Sequence, residues 1–255
     1  MIKIYSFKNN DDAGRAAAKV YADVLKNKPD AVFAFATGSS PLPLYNALVD
    51  MYEKGEISFA DVKTVNLDEY VGLSADHDQS YSYFMHKNLF NRLDVKEENV
   101  NLPNGKAECP ECEKKRYDSV IEGMGGIDIQ LLGIGNNGHI GFNEPTDYFS
   151  YGTTLVDLTD STIDANSRFF ERREDVPTQA FTMGIGHIMS AKKIVFVANG
   201  KGKAQIMEDA FFGRVTPEVP ASILQFYQGE VLVFADEDAL SIIAEKHPEA
   251  IIAKA

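Results

Sequence analysis

Six short apolar runs alternate with helical patterns along the whole chain, and this alternation constrains the fold more than any other feature. The runs are continuously hydrophobic, which is typical of strands covered on both faces. They span residues 2–7, 31–36, 62–67, 127–132, 193–198 and 231–235. Helical patterns between them span residues 12–27, 42–54, 80–93, 111–123, 159–170, 203–212 and 237–245. This order predicts an α/β fold with a mainly parallel sheet and helices on both faces.

Composition limits the partners of such a fold. The chain has 255 residues, of which 44% are hydrophobic, and its formal net charge is −13. We expect one domain over residues 1–255 that binds neither nucleic acid nor anionic membranes, because its surface repels phosphate backbones. The absence of a signal-peptide pattern and of an apolar run of about 18 residues, together with the small number of cysteines, favours the cytoplasm.

The two cysteines, Cys109 and Cys112, form a C-x-x-C pattern. Two cysteines are too few for a disulfide framework, and no second pair of zinc ligands accompanies them. We interpret the pattern as structural or incidental. The histidines are scattered, so we expect no catalytic metal and no cofactor.

Ligands of parallel sheets bind at the carboxyl ends of the strands, so the loops there are the candidate site. The loop Thr37, Gly38, Ser39 and Ser40 follows the second apolar run and leads into a helix. Its small residues and the helix N-terminus would suit a phosphate group. Ordinary helix capping by Ser40 ahead of Pro41 explains the same residues equally well.

Adjacent carboxylates, Asp68 and Glu69, follow the third run. Two acids at a strand end can supply a general base, with one side chain pointing inward and one outward. The alternative interpretation is a pair of solvated turn acids. The position at a carboxyl strand end favours the functional interpretation.

A glycine-rich loop after the fourth run contains His139 and Glu144. Its glycines fit G-x-G-x-x-G, but Gly141 and Pro145 follow at once, and this poor helix sequence disfavours a dinucleotide site. A histidine beside a carboxylate can transfer protons near neutral pH. A histidine satisfied within a tight loop is the alternative.

Two cations complete the candidate site. Arg168 lies at the end of a helical pattern and could bind phosphate through two parallel hydrogen bonds; a surface arginine at a helix end is the alternative interpretation. Lys203 follows the fifth run, in a segment that lacks the G-x-x-x-x-G-K-[ST] pattern of nucleoside triphosphate sites.

Taken together, these loops resemble the glucosamine-6-phosphate deaminase family, also called glucosamine-6-phosphate isomerases. The matching segments, in the order of the family, are ATGSSP (36–41), NLDEYVGL (66–73), SYSYFMH (80–86), GHIGFNEP (138–145) and ANSRFF (165–170). The resemblance implies a modified Rossmann-like fold and the conversion of glucosamine 6-phosphate and water to fructose 6-phosphate and ammonia. It also implies a small-molecule sugar phosphate as the ligand.

The resemblance assigns roles to residues of this sequence. Asp68 matches the base that moves a proton from C2 to C1 of the sugar, His139 the group that handles the ring hydroxyl proton, and Glu144 its supporting carboxylate. The residues Thr37, Gly38, Ser39 and Ser40 match phosphate-binding positions, as do Arg168 and Lys203. The family also has a lid, for which 148–178 is the candidate segment.

Two departures from the family pattern concern regulation and proton affinity. Asn137 stands where many members have aspartate, and it would orient the imidazole without adding a negative charge. Thr153, Thr154 and Val156 stand in a stretch where allosterically activated members carry basic residues. We therefore expect weak or absent activation by N-acetylglucosamine 6-phosphate. A monomer and a homo-oligomer both remain open.

Three other interpretations compete. Galactosamine-6-phosphate deaminases differ only in the epimer at C4 of the substrate, and 6-phosphogluconolactonases share a similar Gly-His loop. A non-catalytic sugar-phosphate sensing domain would carry an N-terminal helix-turn-helix, whereas this chain starts with a strand pattern.

Overall fold

The computed structural model describes residues 1–252 and confirms the predicted α/β architecture. The strands are β1 (Ile2–Phe7), β2 (Val32–Phe35), β3 (Lys63–Asn66), β4 (Asp68–Tyr70), β5 (Val100–Asn101), β6 (Ile129–Leu132), β7 (Thr154–Asp157), β8 (Gln179–Thr182), β9 (Lys193–Ala198), β10 (Glu230–Asp236) and β11 (Ile251–Ile252). Eight of them form one parallel sheet in the order β11-β1-β10-β9-β6-β2-β3-β5.

Helices connect these strands. They are α1 (Asn10–Asn27), α2 (Leu42–Glu53), α3 (Tyr81–Asn88), α4 (Pro110–Gly123), α5 (Asp160–Asn166), α6 (Ile185–Ser190), α7 (Ala204–Phe212) and α8 (Ser241–Lys246). Local sequence explains where the longest helix starts, because the Asn9 side chain accepts the backbone N–H of Asp12 at 2.9 Å. The buried face of α1 is rich in alanine, which lets the helix pack closely on the sheet.

The order of the central strands places the candidate loops side by side. From β2 the chain proceeds to β3 and β5 on one side, and later to β6, β9 and β10 on the other. The neighbours β2 and β6 therefore form the topological switch point, where a crevice opens at the carboxyl ends of the strands. The predicted phosphate loop follows β2, and the loop with His139 follows β6.

All six predicted strands are present within one or two residues of their expected ends, but a second sheet was not predicted. It contains β4, β8 and β7 in that order and is antiparallel. The segment 148–178, the candidate lid, carries β7, α5 and two short 3-10 turns. The helix predicted for 159–170 accordingly ends at Asn166 and continues as a 3-10 turn.

The two cysteines form a disulfide, which the sequence analysis did not predict. Cys109 and Cys112 lie at the beginning of α4, and both are exposed. Within residues 1–252, no helix is both long enough and apolar enough to span a bilayer.

Candidate active site

Asp68 lies at the point where the chain leaves the parallel sheet and enters the second one. Its side chain is only 6% exposed, and Asp68 pairs with Thr182 across β4 and β8. Burial raises the pKa of the Asp68 carboxyl well above its ordinary value of 3.8, and the nearby charge of Glu69 raises it further. The interpretation of a solvated turn acid is therefore wrong for this residue.

Glu69 is also buried, at 2% exposure, and its side chain is hydrogen-bonded to the backbone. Its carboxylate accepts the N–H groups of Tyr70, Tyr81 and Ser82 at 2.9, 2.9 and 2.8 Å. Burial raises its pKa from 4.5 to about 7, against the opposing effect of these three hydrogen bonds. Glu69 thus ties β4 to the first turn of α3, and the expected outward-pointing side chain is not observed.

His139, Asn137 and Glu144 form one cluster in the loop after β6. The Nδ1 atom of His139 lies 3.4 Å from Oε2 of Glu144, and it has no hydrogen bond of good geometry within the described residues. The Asn137 amide donates to the same Oε2 at 2.6 Å, and the Asn137 carbonyl oxygen accepts the backbone N–H of His139 at 3.3 Å. The Thr162 hydroxyl of α5 donates to the other oxygen, Oε1.

These contacts set the charge of Glu144. Burial raises the pKa of its carboxyl, but the contacts with His139, Thr162 and Asn137 outweigh burial and lower the pKa below its ordinary value. Glu144 is therefore ionised near neutral pH, and it can stabilise a protonated imidazole or orient a neutral one.

Gly141 brings the loop that holds this cluster next to Asp68. Gly141 has a φ of +60° and lies against Asp68: a Cβ on Gly141 would be 3.5 Å from Oδ2 of Asp68 and 2.9 Å from Oγ1 of Thr182. The backbone N–H of Phe142 donates to the same Thr182 hydroxyl at 3.0 Å. The loop after β6 and the strand β4 therefore share one wall of the crevice.

The phosphate-loop candidate follows β2 and faces the loop after β9. Gly38 has a φ of +105°, a backbone conformation that favours glycine. The Ser40 hydroxyl donates to the side-chain oxygen of Asn199 at 2.6 Å, and the N-cap of α2 is Pro41, without a side-chain cap. The capping interpretation of Ser40 is therefore wrong, and Ser40 instead connects the two loops.

The two predicted cations are near each other. Burial lowers the pKa of Lys203, and the positive charge of Arg168 lowers it further. The Lys203 ammonium donates to the side-chain oxygen of Asn136 at 2.6 Å, while the Arg168 guanidinium lies 4.6 Å from the centre of the Phe169 ring. Arg168 is exposed, as the surface interpretation expected, and a bound anion would offset the repulsion between the two positive charges.

Several contributing residues were not identified from the sequence. Tyr70, Tyr81 and Phe142 pack their rings together beside Asp68, with Tyr70 and Tyr81 4.8 Å apart and Tyr81 stacked on Phe142 at 5.8 Å. Tyr117 of α4 hydrogen-bonds both backbone groups of Asn66, immediately before the catalytic candidate segment. The motif SYSYFMH contains Tyr81 and was the available signal, whereas nothing in the sequence indicated Tyr117.

The arrangement is suited to proton transfer on an anionic ligand. A buried carboxylate follows β3, an imidazole with a carboxylate partner follows β6, and Lys203 is hydrogen-bonded to Asn136 of the same loop after β6. Among residues 1–252, no three His, Cys, Asp or Glu side chains form a group that could hold a metal ion. Fold and site together define a Rossmann-like α/β protein with a candidate site at the carboxyl ends of its strands.

Comparison with known proteins identifies the family. The profile of the glucosamine-6-phosphate isomerase/6-phosphogluconolactonase family matches residues 9–233, and the chain belongs to this family. The chain is 50% identical over 236 residues to a glucosamine-6-phosphate deaminase of Clostridium perfringens (strain 13 / Type A), covering 92% of this chain and 97% of the relative. It is 48% identical to one of Thermoanaerobacter sp. (strain X514), covering 96% of each chain.

Solved structures agree with this assignment. A monomeric glucosamine-6-phosphate deaminase superposes with a TM-score of 0.91 at 39% identity, covering 94% of this chain and 99% of the other. A 6-phosphogluconolactonase of Thermotoga maritima superposes with a TM-score of 0.72 at 19% identity, covering 92% of this chain and 100% of the other. The second likeness concerns the fold alone.

Proposed function

We propose that the chain converts glucosamine 6-phosphate and water to fructose 6-phosphate and ammonia. The observation that carries this proposal is the position of buried Asp68 against Gly141, in the loop that holds His139 and Glu144. Relatives about half identical over nearly the whole chain are glucosamine-6-phosphate deaminases, and this supports the same reaction here.

Asp68 is proposed as the base that moves a proton between C2 and C1. One carboxylate can take the proton from C2 and return it to C1 through an enolamine. Burial raises the Asp68 pKa, which makes its ionised form a stronger base. The ammonium group of the substrate would favour that ionised form when it arrives beside the carboxylate.

His139 and Glu144 are proposed to open the sugar ring. Ring opening requires removal of a proton from O1 and delivery of one to the ring oxygen. The imidazole of His139 can do both, because a neutral ring accepts a proton and a protonated ring donates one. Glu144 lies 3.4 Å from Nδ1 and would stabilise the protonated state, while Asn137 fixes the carboxylate by its hydrogen bond.

The phosphate ester is proposed to lie between the loop 37–40 and the pair Arg168 and Lys203. The first turn of α2 follows that loop, so its backbone N–H groups add a favourable field for the anion. Binding energy from the phosphate would hold the reacting carbons in place. The segment 148–178 is proposed as the lid, because Arg168 and the Glu144 partner Thr162 both lie in it.

The assembly and compartment are also proposals. We propose a monomeric enzyme that acts in the cytoplasm. A monomeric deaminase with a TM-score of 0.91 supports the first statement. The acidic composition and the small-molecule substrate support the second.

An ammonia-release assay tests the proposed reaction. Glucosamine 6-phosphate is compared with galactosamine 6-phosphate, using the native chain and Asp68→Asn, which keeps the shape of the side chain but removes the base. We expect release from glucosamine 6-phosphate and a loss of about 10²–10⁴-fold in kcat for the variant. Preference for galactosamine 6-phosphate would reassign the substrate, and full activity of the variant would remove Asp68 from its role.

A further inference from the structure

The disulfide between Cys109 and Cys112 has no part in the proposed reaction. These are the two cysteines of the chain, and both lie at the solvent-exposed start of α4. The bond joins residues three positions apart, within one helical turn. Because so short a loop restricts the unfolded chain little, the bond is poorly suited to be a structural staple.

The first turn of α4 makes the two sulfur atoms unequal. Cys109 is the N-cap residue, and its Sγ atom accepts the backbone N–H of Cys112 at 3.2 Å. Pro110 occupies the first helical position, where it fixes the backbone and leaves no N–H of its own. A negative charge on the Cys109 sulfur is therefore stabilised by a direct hydrogen bond and by the N-terminus of a 14-residue helix.

The Cys112 sulfur is not stabilised in this way. It follows in the same turn, within bonding reach of Cys109, and it lacks the capping contact. A thiolate at Cys109 would attack an incoming disulfide, and Cys112 would then resolve the resulting adduct. Attack and resolution require access to solvent, which both residues have.

We propose that Cys109 and Cys112 form a thiol–disulfide exchange site for low-molecular-weight disulfides, with Cys109 as the attacking and Cys112 as the resolving residue. The Cys109 thiolate breaks the S–S bond of the small disulfide, forms a mixed disulfide and releases one small thiol. Cys112 loses its proton, displaces the second small thiol and closes the protein disulfide. Two electrons and two protons thereby pass from the protein dithiol to the small disulfide, which becomes two thiols.

The test uses the full chain, reduced with dithiothreitol and freed of it, and 2-hydroxyethyl disulfide as the probe. Mass spectrometry follows the native chain, Cys112→Ser and Cys109→Ser over time. We expect the native chain to lose two hydrogens without a lasting adduct, and Cys112→Ser to accumulate one mixed disulfide. Cys109→Ser should react at least about tenfold more slowly, because its remaining thiol lacks the capping position.

Two results would overturn the proposal. Equal adduct formation by the two single variants would show that α4 does not distinguish the sulfurs. A native chain that stays a dithiol, or keeps the adduct, would show that Cys112 does not resolve it. Ammonia release by each variant serves as the control for folding, because neither cysteine contacts the proposed substrate site.

Discussion

Asn137 and His139 converge on one oxygen of Glu144. The Asn137 amide nitrogen is 2.6 Å from Oε2, and the His139 Nδ1 atom is 3.4 Å from the same oxygen. Replacing Asn137 with aspartate would exchange a hydrogen-bond donor for a like charge. We expect the pKa of Glu144 to rise in Asn137→Asp, which an NMR titration of the Glu144 carboxyl carbon would measure.

A second variant distinguishes the effect of an added charge from the effect of a lost hydrogen bond. Thr162→Val removes the donor to the other oxygen of Glu144 without adding a charge. The pKa of Glu144 should rise in this variant too, but less far. Titrations that coincide with that of the native chain in both variants would show that these two contacts do not set the pKa of Glu144.

Lys203 is expected to contribute mainly to substrate binding. Removing its charge in Lys203→Met should raise KM by about 10–100-fold, which corresponds to one charged hydrogen bond, and should change kcat less. Steady-state kinetics with glucosamine 6-phosphate measure both constants.

Lys201 provides the matched control for this variant. It lies in the same short 3-10 turn but is exposed. Lys201→Met should leave KM within about twofold of the native value, since surface charges contribute little. A similar rise in KM for both variants would mean that substrate binding depends on the net positive charge of the turn and not on the position of Lys203.

The hydroxyl of Tyr117 is expected to stabilise the fold. It accepts the backbone N–H of Asn66 at 2.8 Å and donates to the carbonyl of the same residue. Tyr117→Phe leaves that buried N–H without a partner, so the free energy of unfolding should fall by about 1–3 kcal/mol in urea titrations.

Tyr21 is the comparison for Tyr117. Its hydroxyl is buried and has no hydrogen-bond partner within the described residues. Tyr21→Phe should therefore leave stability unchanged or raise it slightly. Equal losses in the two variants would point to ring packing as the common cause.

Glu69 should make stability depend on pH. The folded pKa of about 7 lies above the ordinary 4.5, so the folded chain holds the extra proton between these values and loses stability as pH rises through them. The free energy of unfolding would fall by up to about 3 kcal/mol as pH rises through this range. Urea unfolding at about pH 5 and about pH 8 should show a larger difference for the native chain than for Glu69→Gln.

The raised pKa of Asp68 should likewise make stability fall as pH rises, so Asp68→Asn is measured by urea unfolding at the same two pH values. A pH dependence that is identical in the native chain and both variants would assign it to other groups.

The parallel sheet could be predicted because its strands are covered on both faces and therefore read as unbroken apolar runs. The rule that ligands of parallel sheets bind at the carboxyl strand ends predicted the candidate site, with Asp68 and His139 in it. The second sheet could not be predicted, since β4 consists of Asp68, Glu69 and Tyr70, and its strand conformation depends on pairing with β8.

Contacts between distant parts of the chain could not be predicted from the sequence either. Tyr117 meets Asn66 across 51 residues, and Ser40 meets Asn199 across 159. No spacing or periodicity in the sequence indicates either of these two contacts. The sequence alone also favoured capping by Ser40 as much as ligand binding, because both uses require the same small hydroxyl residue.

The antiparallel ladder connects the proposed lid to the proposed base. Asp68 pairs with Thr182 at one end of β8, and β8 pairs along its length with β7, which leads into the segment that carries Thr162 and Arg168. A displacement of that segment that frees the product would pull on the strand holding the carboxylate. Departure of the sugar and realignment of the base for the next turnover would then be a single movement.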